Sequence, residues 1–156
     1  ATRLNAMLFI AALGDSALDE IPSSYSEAAR SQERIVVMGG LAPGQTTDAV
    51  SAILAEHVRA DRLIIATSVD GVYTSDPERD PSARKLSRMT FRELATLAMA
   101  TEMKAGSRSP VDPLAAKIIE RSRIPTAIVL GTDVENLKRG ALGGHTGTEI
   151  SQGSGT

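Results

Sequence analysis

Apolar positions recur along this chain at two periods, and the periods predict its elements. Thr2 to Leu13 carries Leu4, Met7, Leu8, Ala11 and Ala12 on one helical stripe, which Phe9, Ile10 and Leu13 widen until the segment is apolar nearly all round. That pattern predicts a helix that is buried or lies in a subunit interface, ending at Gly14. Its polar exceptions, Arg3 and Asn5, read as an interface salt bridge and an N-terminal hydrogen bond. Arg34 to Met38 is short, β-branched and bounded by Gly39-Gly40, the pattern of a buried strand. Ala49, Val50, Ile53, Leu54 and Val58 then recur at helical spacing, predicting a helix from about Asp48 to Arg59, and Thr46, Thr47 and Asp48 all qualify as its N-cap. Arg62 to Ala66 is the next strand. Strand, helix and strand with short joints form a βαβ unit, whose loops beyond the carboxyl ends of the strands open on the edge where α/β sheets bind ligands.

The rest of the chain follows the same grammar. Ser23-Ser24 caps a short helix from Tyr25 to Arg30, with Tyr25 in a partly exposed packing role. Asp70 to Pro77 is a turn stretch, and Glu78 to Lys85 a charged surface loop. Thr90 caps a helix from Phe91 to Thr101 with Phe91, Leu94, Leu97 and Ala98 inward, and Met99 and Met103 read as core or interface filler. Lys104 to Pro110 reads as a mobile surface loop. Asp112-Pro113 is an N-cap followed by N1, opening a helix whose inward face is Leu114, Ala115, Ile118 and Ile119. Lys117 on that helix pairs with Glu120 or Arg121 positions on the solvent side. Thr126 to Leu130 is a further parallel-type strand, Thr132-Asp133 caps a short helix to Arg139, and Thr148 to Ile150 closes the fold as an edge strand. Residues 1–150 read as one domain and Ser151 to Thr156 as a disordered or vector-derived tail.

Composition narrows the function. The chain has 156 residues, 42% of them hydrophobic, with a net charge of −2. That is enough apolar content for a core, and there is no electrostatic footprint for nucleic acid or a membrane surface. No apolar run approaches the roughly 20 residues that span a bilayer, and Ala1 to Asp15 lacks the start of a signal peptide, so a cytoplasmic protein is expected. Cysteine is absent, which removes disulfides and thiolate metal sites. His145 has no carboxylate at ligand spacing and does not read as a metal site.

The loop after the first predicted strand is the candidate for chemistry. A helix N-terminus offers unpaired N–H groups and a positive dipole end, and glycines let a charged ligand approach the backbone, so phosphate is the natural guest. Local chemistry alone favours an ordinary turn with a threonine cap. Gly39 and Gly44 have the separation of a phosphate-loop motif, but Gln45 stands where lysine belongs, and no Gly-x-Gly-x-x-Gly follows a strand.

Two long motifs, GGLAPGQTTDAV and ATSVDGVYTSDP, together with DPSARKLSRMT, KAGSRSPVDPLAAKIIERSRIPTAIVLG, GGHTGTEI and the opening ATRLNAMLFIAALGD, resemble the archaeal-type uridylate (UMP) kinases of the amino acid kinase superfamily. The resemblance covers nearly the whole chain. It implies a three-layer αβα sandwich with a mainly parallel central sheet, and transfer of the γ-phosphoryl group of MgATP to UMP in pyrimidine nucleotide biosynthesis. It places UMP against Leu41, Ala42, Pro43, Gly44, Gln45, Thr46 and Thr47, gives catalytic roles to Thr47 and Asp48, and assigns ATP to Thr67, Tyr73 and Asp76. Asp70 and Asp76 read equally as turn residues bonding their own backbone. Magnesium enters with the nucleotide. The opening helix is implied to join subunits, giving a homo-oligomer, a hexamer by family resemblance, without nucleic-acid or membrane partners.

Asp112 occupies the place where other branches of the superfamily carry a catalytic lysine, which agrees with the uridylate kinase branch. Members of the family begin with a strand and a Gly-Gly-Ser turn for ATP phosphates that this sequence does not contain. The expectation is therefore the C-terminal two-thirds of a domain whose N-terminal strands are missing, a poor autonomous folder whose activity in isolation is an open question. The alternatives are another small-molecule kinase of the superfamily and a non-catalytic nucleotide-binding or storage assembly on the same fold.

Overall fold

The computed structural model describes residues 2–77, 79–102 and 111–153. In chain order the elements are α1 (Thr2–Leu13), a 3-10 turn (Gly14–Ser16), α2 (Tyr25–Arg30), α3 (Thr47–Val58), β1 (Leu63–Thr67), β2 (Val72–Tyr73), β3 (Lys85–Leu86), β4 (Arg88–Thr90), α4 (Phe91–Glu102), α5 (Pro113–Ser122), β5 (Thr126–Leu130), α6 (Val134–Ala141) and β6 (Thr148–Ser151). The main sheet has the order β1-β5-β6-β4. β1 and β5 run parallel, as do β4 and β6, while β5 and β6 are antiparallel. β2 and β3 pair with each other as an antiparallel hairpin, a second, two-stranded sheet.

Side-chain alternation along β1 sorts the layers. Leu63 and Ile65 point with Ile128 of β5 into the core formed with α3, α4 and α5, where Leu94, Ile119, Ile128 and Ile150 are fully buried. Ile64 points the other way, towards Gly140 of α6. The result is helices on both faces of a mixed, mainly parallel sheet, as the three-layer expectation has it.

Several elements differ from the sequence reading. Residues 34–38 form no strand, so the predicted βαβ unit is not built. Ile35 is 38% exposed, and the segment's bond to a neighbour is Leu18 N–H to the Ile35 carbonyl at 2.9 Å. A β-branched run becomes a strand only where another strand supplies a ladder, and among the described strands β1 is an edge of the sheet. β6 is not an edge strand but lies between β5 and β4, and Ser151 pairs with Thr90, so the strand runs one residue into the supposed tail. Strands β3 and β4 lie where and just after the sequence suggested a loop. On α5 Leu114 is 49% exposed and Ala116 takes its place in the core.

Other elements agree with it. The caps at Ser24 and Asp133 accept hydrogen bonds from Glu27 and Asn136 N–H. Thr90 and Glu93 form a reciprocal capping box at the start of α4. Met99 of that helix is exposed. The predicted Lys104 to Pro110 loop and Met103 lie outside the described residues.

α1 forms over the predicted range, but Ala6 is its one buried residue, and Leu4, Met7, Leu8 and Phe9 stand open to solvent within the chain. Among the described residues Arg3 makes no salt bridge. Its guanidinium donates instead to the carbonyls of Pro22 and Ile21, at 3.4 and 3.3 Å. No described helix is long and apolar enough to cross a membrane.

Candidate functional site

Helices α3 and α5 each lead by a short joint into one of the parallel strands β1 and β5, so both begin at the carboxyl edge of that strand pair. Of the three possible caps for α3, Thr46 takes the position, its Oγ1 accepting from Ala49 N–H at 3.0 Å. Asp112 caps α5, its Oδ1 accepting from Leu114 and Ala115 N–H at 2.9 and 3.1 Å. The Thr46 hydroxyl donates to the second Asp112 oxygen, and this bond ties the two helix ends together. Two positive dipole ends therefore converge at one place, the arrangement that attracts anions. Asp48, in the first turn of α3, is half-buried beside them. Burial first, and then the negative Asp112, push its carboxyl above the ordinary value, against the hydrogen bond it accepts from the Asp112 N–H.

Next to this junction lies a cleft of about 610 Å³, within the size range of small-molecule sites, lined by Thr2 and residues 40–47. All seven residues assigned to the UMP cradle by sequence, Leu41 to Thr47, are among its walls. Gly44 lies in the left-handed region at φ 84°. Gly40 N–H donates to Thr2 Oγ1 at 2.9 Å, and Tyr25 Oη donates to Gln45 Oε1 at 3.3 Å. Gly39 makes its close approach to a helix rather than to open space, since a Cβ there would meet Arg3 at 2.8 Å.

Thr67, Tyr73 and Asp76 lie outside the lining of this cleft. Thr67 ends β1, and its carbonyl accepts from Gly131 N–H at 2.8 Å. Tyr73, in β2, donates its hydroxyl to Asp70 Oδ1 at 2.8 Å, while Lys85 Nζ donates to Asp70 Oδ2 at 2.9 Å. These bonds, Lys85's first, hold the Asp70 carboxyl below its ordinary value. Asp76 faces Arg79 at 3.5 Å, and its carbonyl accepts from Arg79 and Asp80 N–H.

Sequence reasoning read Asp112 as a helix cap standing where other branches carry a catalytic lysine, and left it and Thr2 out of the site residues. The available signal for Asp112 was that both capped helices begin at the same strand edge. Lys117 lies on the solvent side, with Nζ 2.8 Å from Glu120. The statement that His145 lacks a carboxylate at useful spacing is corrected. Glu149, four residues on, meets its Nε2 at 2.7 Å and also receives Arg62. His145 Nδ1 accepts from Gly147 N–H at 3.0 Å, which assigns the ring proton to Nε2. Among the described residues no three His, Cys, Asp or Glu side chains assemble into a metal site.

Comparison with known proteins identifies the family. A sequence model of the amino acid kinase family matches residues 1–130. The chain is 59% identical to the uridylate kinase of Methanothrix thermoacetophila, over 96% of this chain and 68% of that protein. It is 61% identical to that of Methanococcoides burtonii, over 87% and 59% respectively. The crystal structure of uridylate kinase from Archaeoglobus fulgidus superposes with a TM-score of 0.85 at 45% identity, covering 96% of this chain and 67% of that one. The chain thus spans between about three-fifths and two-thirds of these relatives. By family model, sequence and fold together, it belongs to the amino acid kinase family, in the branch of the archaeal uridylate kinases.

Proposed function

We propose that the protein carrying this chain transfers the γ-phosphoryl group of MgATP to the phosphate of UMP, giving UDP and ADP, as a cytoplasmic enzyme of pyrimidine nucleotide biosynthesis. The observation that carries the reading is the junction of the α3 and α5 N-termini through Thr46 and Asp112, beside the cleft lined by residues 40–47. Its support is the high identity to proteins named uridylate kinase.

Phosphoryl transfer asks little covalent chemistry of a protein. It asks for two anions held in line and for neutralisation of the charge that develops between them. Residues Leu41 to Gln45 surround UMP in this reading. The Thr46 hydroxyl is committed to Ala49 and Asp112, so Thr47 and the backbone N–H groups of the first turn are the donors to phosphate. Asp48 is no general base, since a phosphate acceptor is already ionised at neutral pH. With Asp112 it orients the water shell of the magnesium that ATP brings. Thr67, Tyr73 and Asp76 receive the ATP. The open apolar face of α1 joins copies of the chain in a homo-oligomer, a hexamer by analogy with the family.

The test is UDP formation by the full-length protein from MgATP and UMP, with protection by uridine nucleotides against a competing acceptor. UDP release supports the assignment. Binding of both nucleotides without UDP would replace it with a storage or sensing role.

A further inference from the structure

The closing Gly147-Thr148 pair has no part in the cleft, yet both residues are under tight geometric constraint. Thr148 is fully buried at the start of β6. Its Oγ1 accepts from Val72 N–H at 2.7 Å and donates to the Leu86 carbonyl at 2.6 Å. Val72 and Leu86 are themselves a cross-strand pair, the inner rung of the β2–β3 hairpin. One hydroxyl from the main sheet thus bonds both strands of a hairpin whose next tie to that sheet is the Ser87 carbonyl, which accepts from Glu149 N–H at 3.0 Å. Gly71, at φ 150°, passes so close that a Cβ there would stand 2.8 Å from the same Oγ1. The outer rung, Tyr73 with Lys85, is closed on its own side by Asp70.

We propose that Thr148 is a positioning residue for adenine-nucleotide binding: by fixing the inner rung, it sets the height at which the hairpin presents Tyr73 and the loop after it. The proposal rests on the ATP assignment of that loop. It makes Thr148 act on one substrate only, because the UMP cleft is walled by Thr2 and residues 40–47 and touches neither strand of the hairpin.

The experiment measures ADP and UMP affinities by calorimetry, alongside thermal unfolding, for the full-length protein and its Thr148→Val, Thr148→Ser and Gly71→Ala variants. Thr148→Val deletes both bonds and should weaken ADP binding about tenfold with UMP affinity unchanged. Thr148→Ser keeps the hydroxyl and should hold ADP affinity within about twofold of the parent. Gly71→Ala strains the grip from the other side and should reproduce the ADP-selective loss, which decides the matter if Thr148→Val does not fold. Equal loss for both nucleotides, or unchanged ADP affinity in a folded Thr148→Val or Gly71→Ala protein, overturns the proposal, as does a parent that binds no ADP. A parent that binds ADP but forms no UDP would sink the proposed reaction and leave the role of Thr148 to be decided by these affinities.

Discussion

The Thr46 hydroxyl caps one helix and bonds the cap of another, so the neighbouring threonine is the better probe of catalysis. Thr47 is exposed and lies inside the helix rather than at its cap. Thr47→Ala should therefore change unfolding free energy by less than about 0.5 kcal/mol. As a donor to developing charge, its loss should lower turnover on the order of a hundredfold. Denaturant unfolding beside steady-state UDP formation reads both, and matched small losses would make Thr47 a bystander. Asp48 yields a pH prediction. Its native carboxyl is raised above the ordinary value by burial and by Asp112, so the folded state holds the proton more tightly than the unfolded chain. That contribution is complete below an unfolded value of about 4 and is lost as pH rises through the native one. Asp48→Asn should accordingly be more stable than the parent at neutral pH, with the difference shrinking in acid. A difference independent of pH between mild acid and neutrality would refute the linkage.

At the scale of elements, caps and amphipathic stripes were legible because they depend on contacts within a few residues. The starts of α2, α5 and α6 agree with the caps read from sequence. Where a helix begins fixes its phase only roughly, however. The start at Pro113 did not reveal that Ala116 rather than Leu114 would face α3 and α4. Strand order was less legible still, since β6 pairs with partners at least 20 and more than 60 residues away in the chain. Gly147, just before β6, shows how closely that placement is set. A Cβ there would stand 2.0 Å from the Ile128 carbonyl oxygen. Gly147→Ala should destabilise by about 1–3 kcal/mol through forced separation of β5 and β6, measured by denaturant titration. A neutral result would mean that the turn relaxes without disturbing the sheet.

For the whole molecule, the telling surface is α1, where Leu4, Met7, Leu8 and Phe9 are 59–66% exposed on one short helix. A clustered apolar surface of this kind marks an interaction site. If it joins copies of the chain, Leu8→Glu combined with Phe9→Glu should lower the native mass of the full-length protein in sedimentation, and an unchanged assembly would exclude α1 from the contact. The sequence by itself determined the helices, the caps of α2, α5 and α6, the family and the run of residues that walls the cleft. All of these follow from periodicity, local hydrogen bonding and motifs read in order. Only the tertiary structure decided that Arg34 to Met38 forms no ladder, that β6 sits inside the sheet, that Asp112 meets Thr46, and that Thr148 holds the β2–β3 hairpin. Each of those depends on which distant backbone or side chain lies alongside, and local pattern carries no record of that.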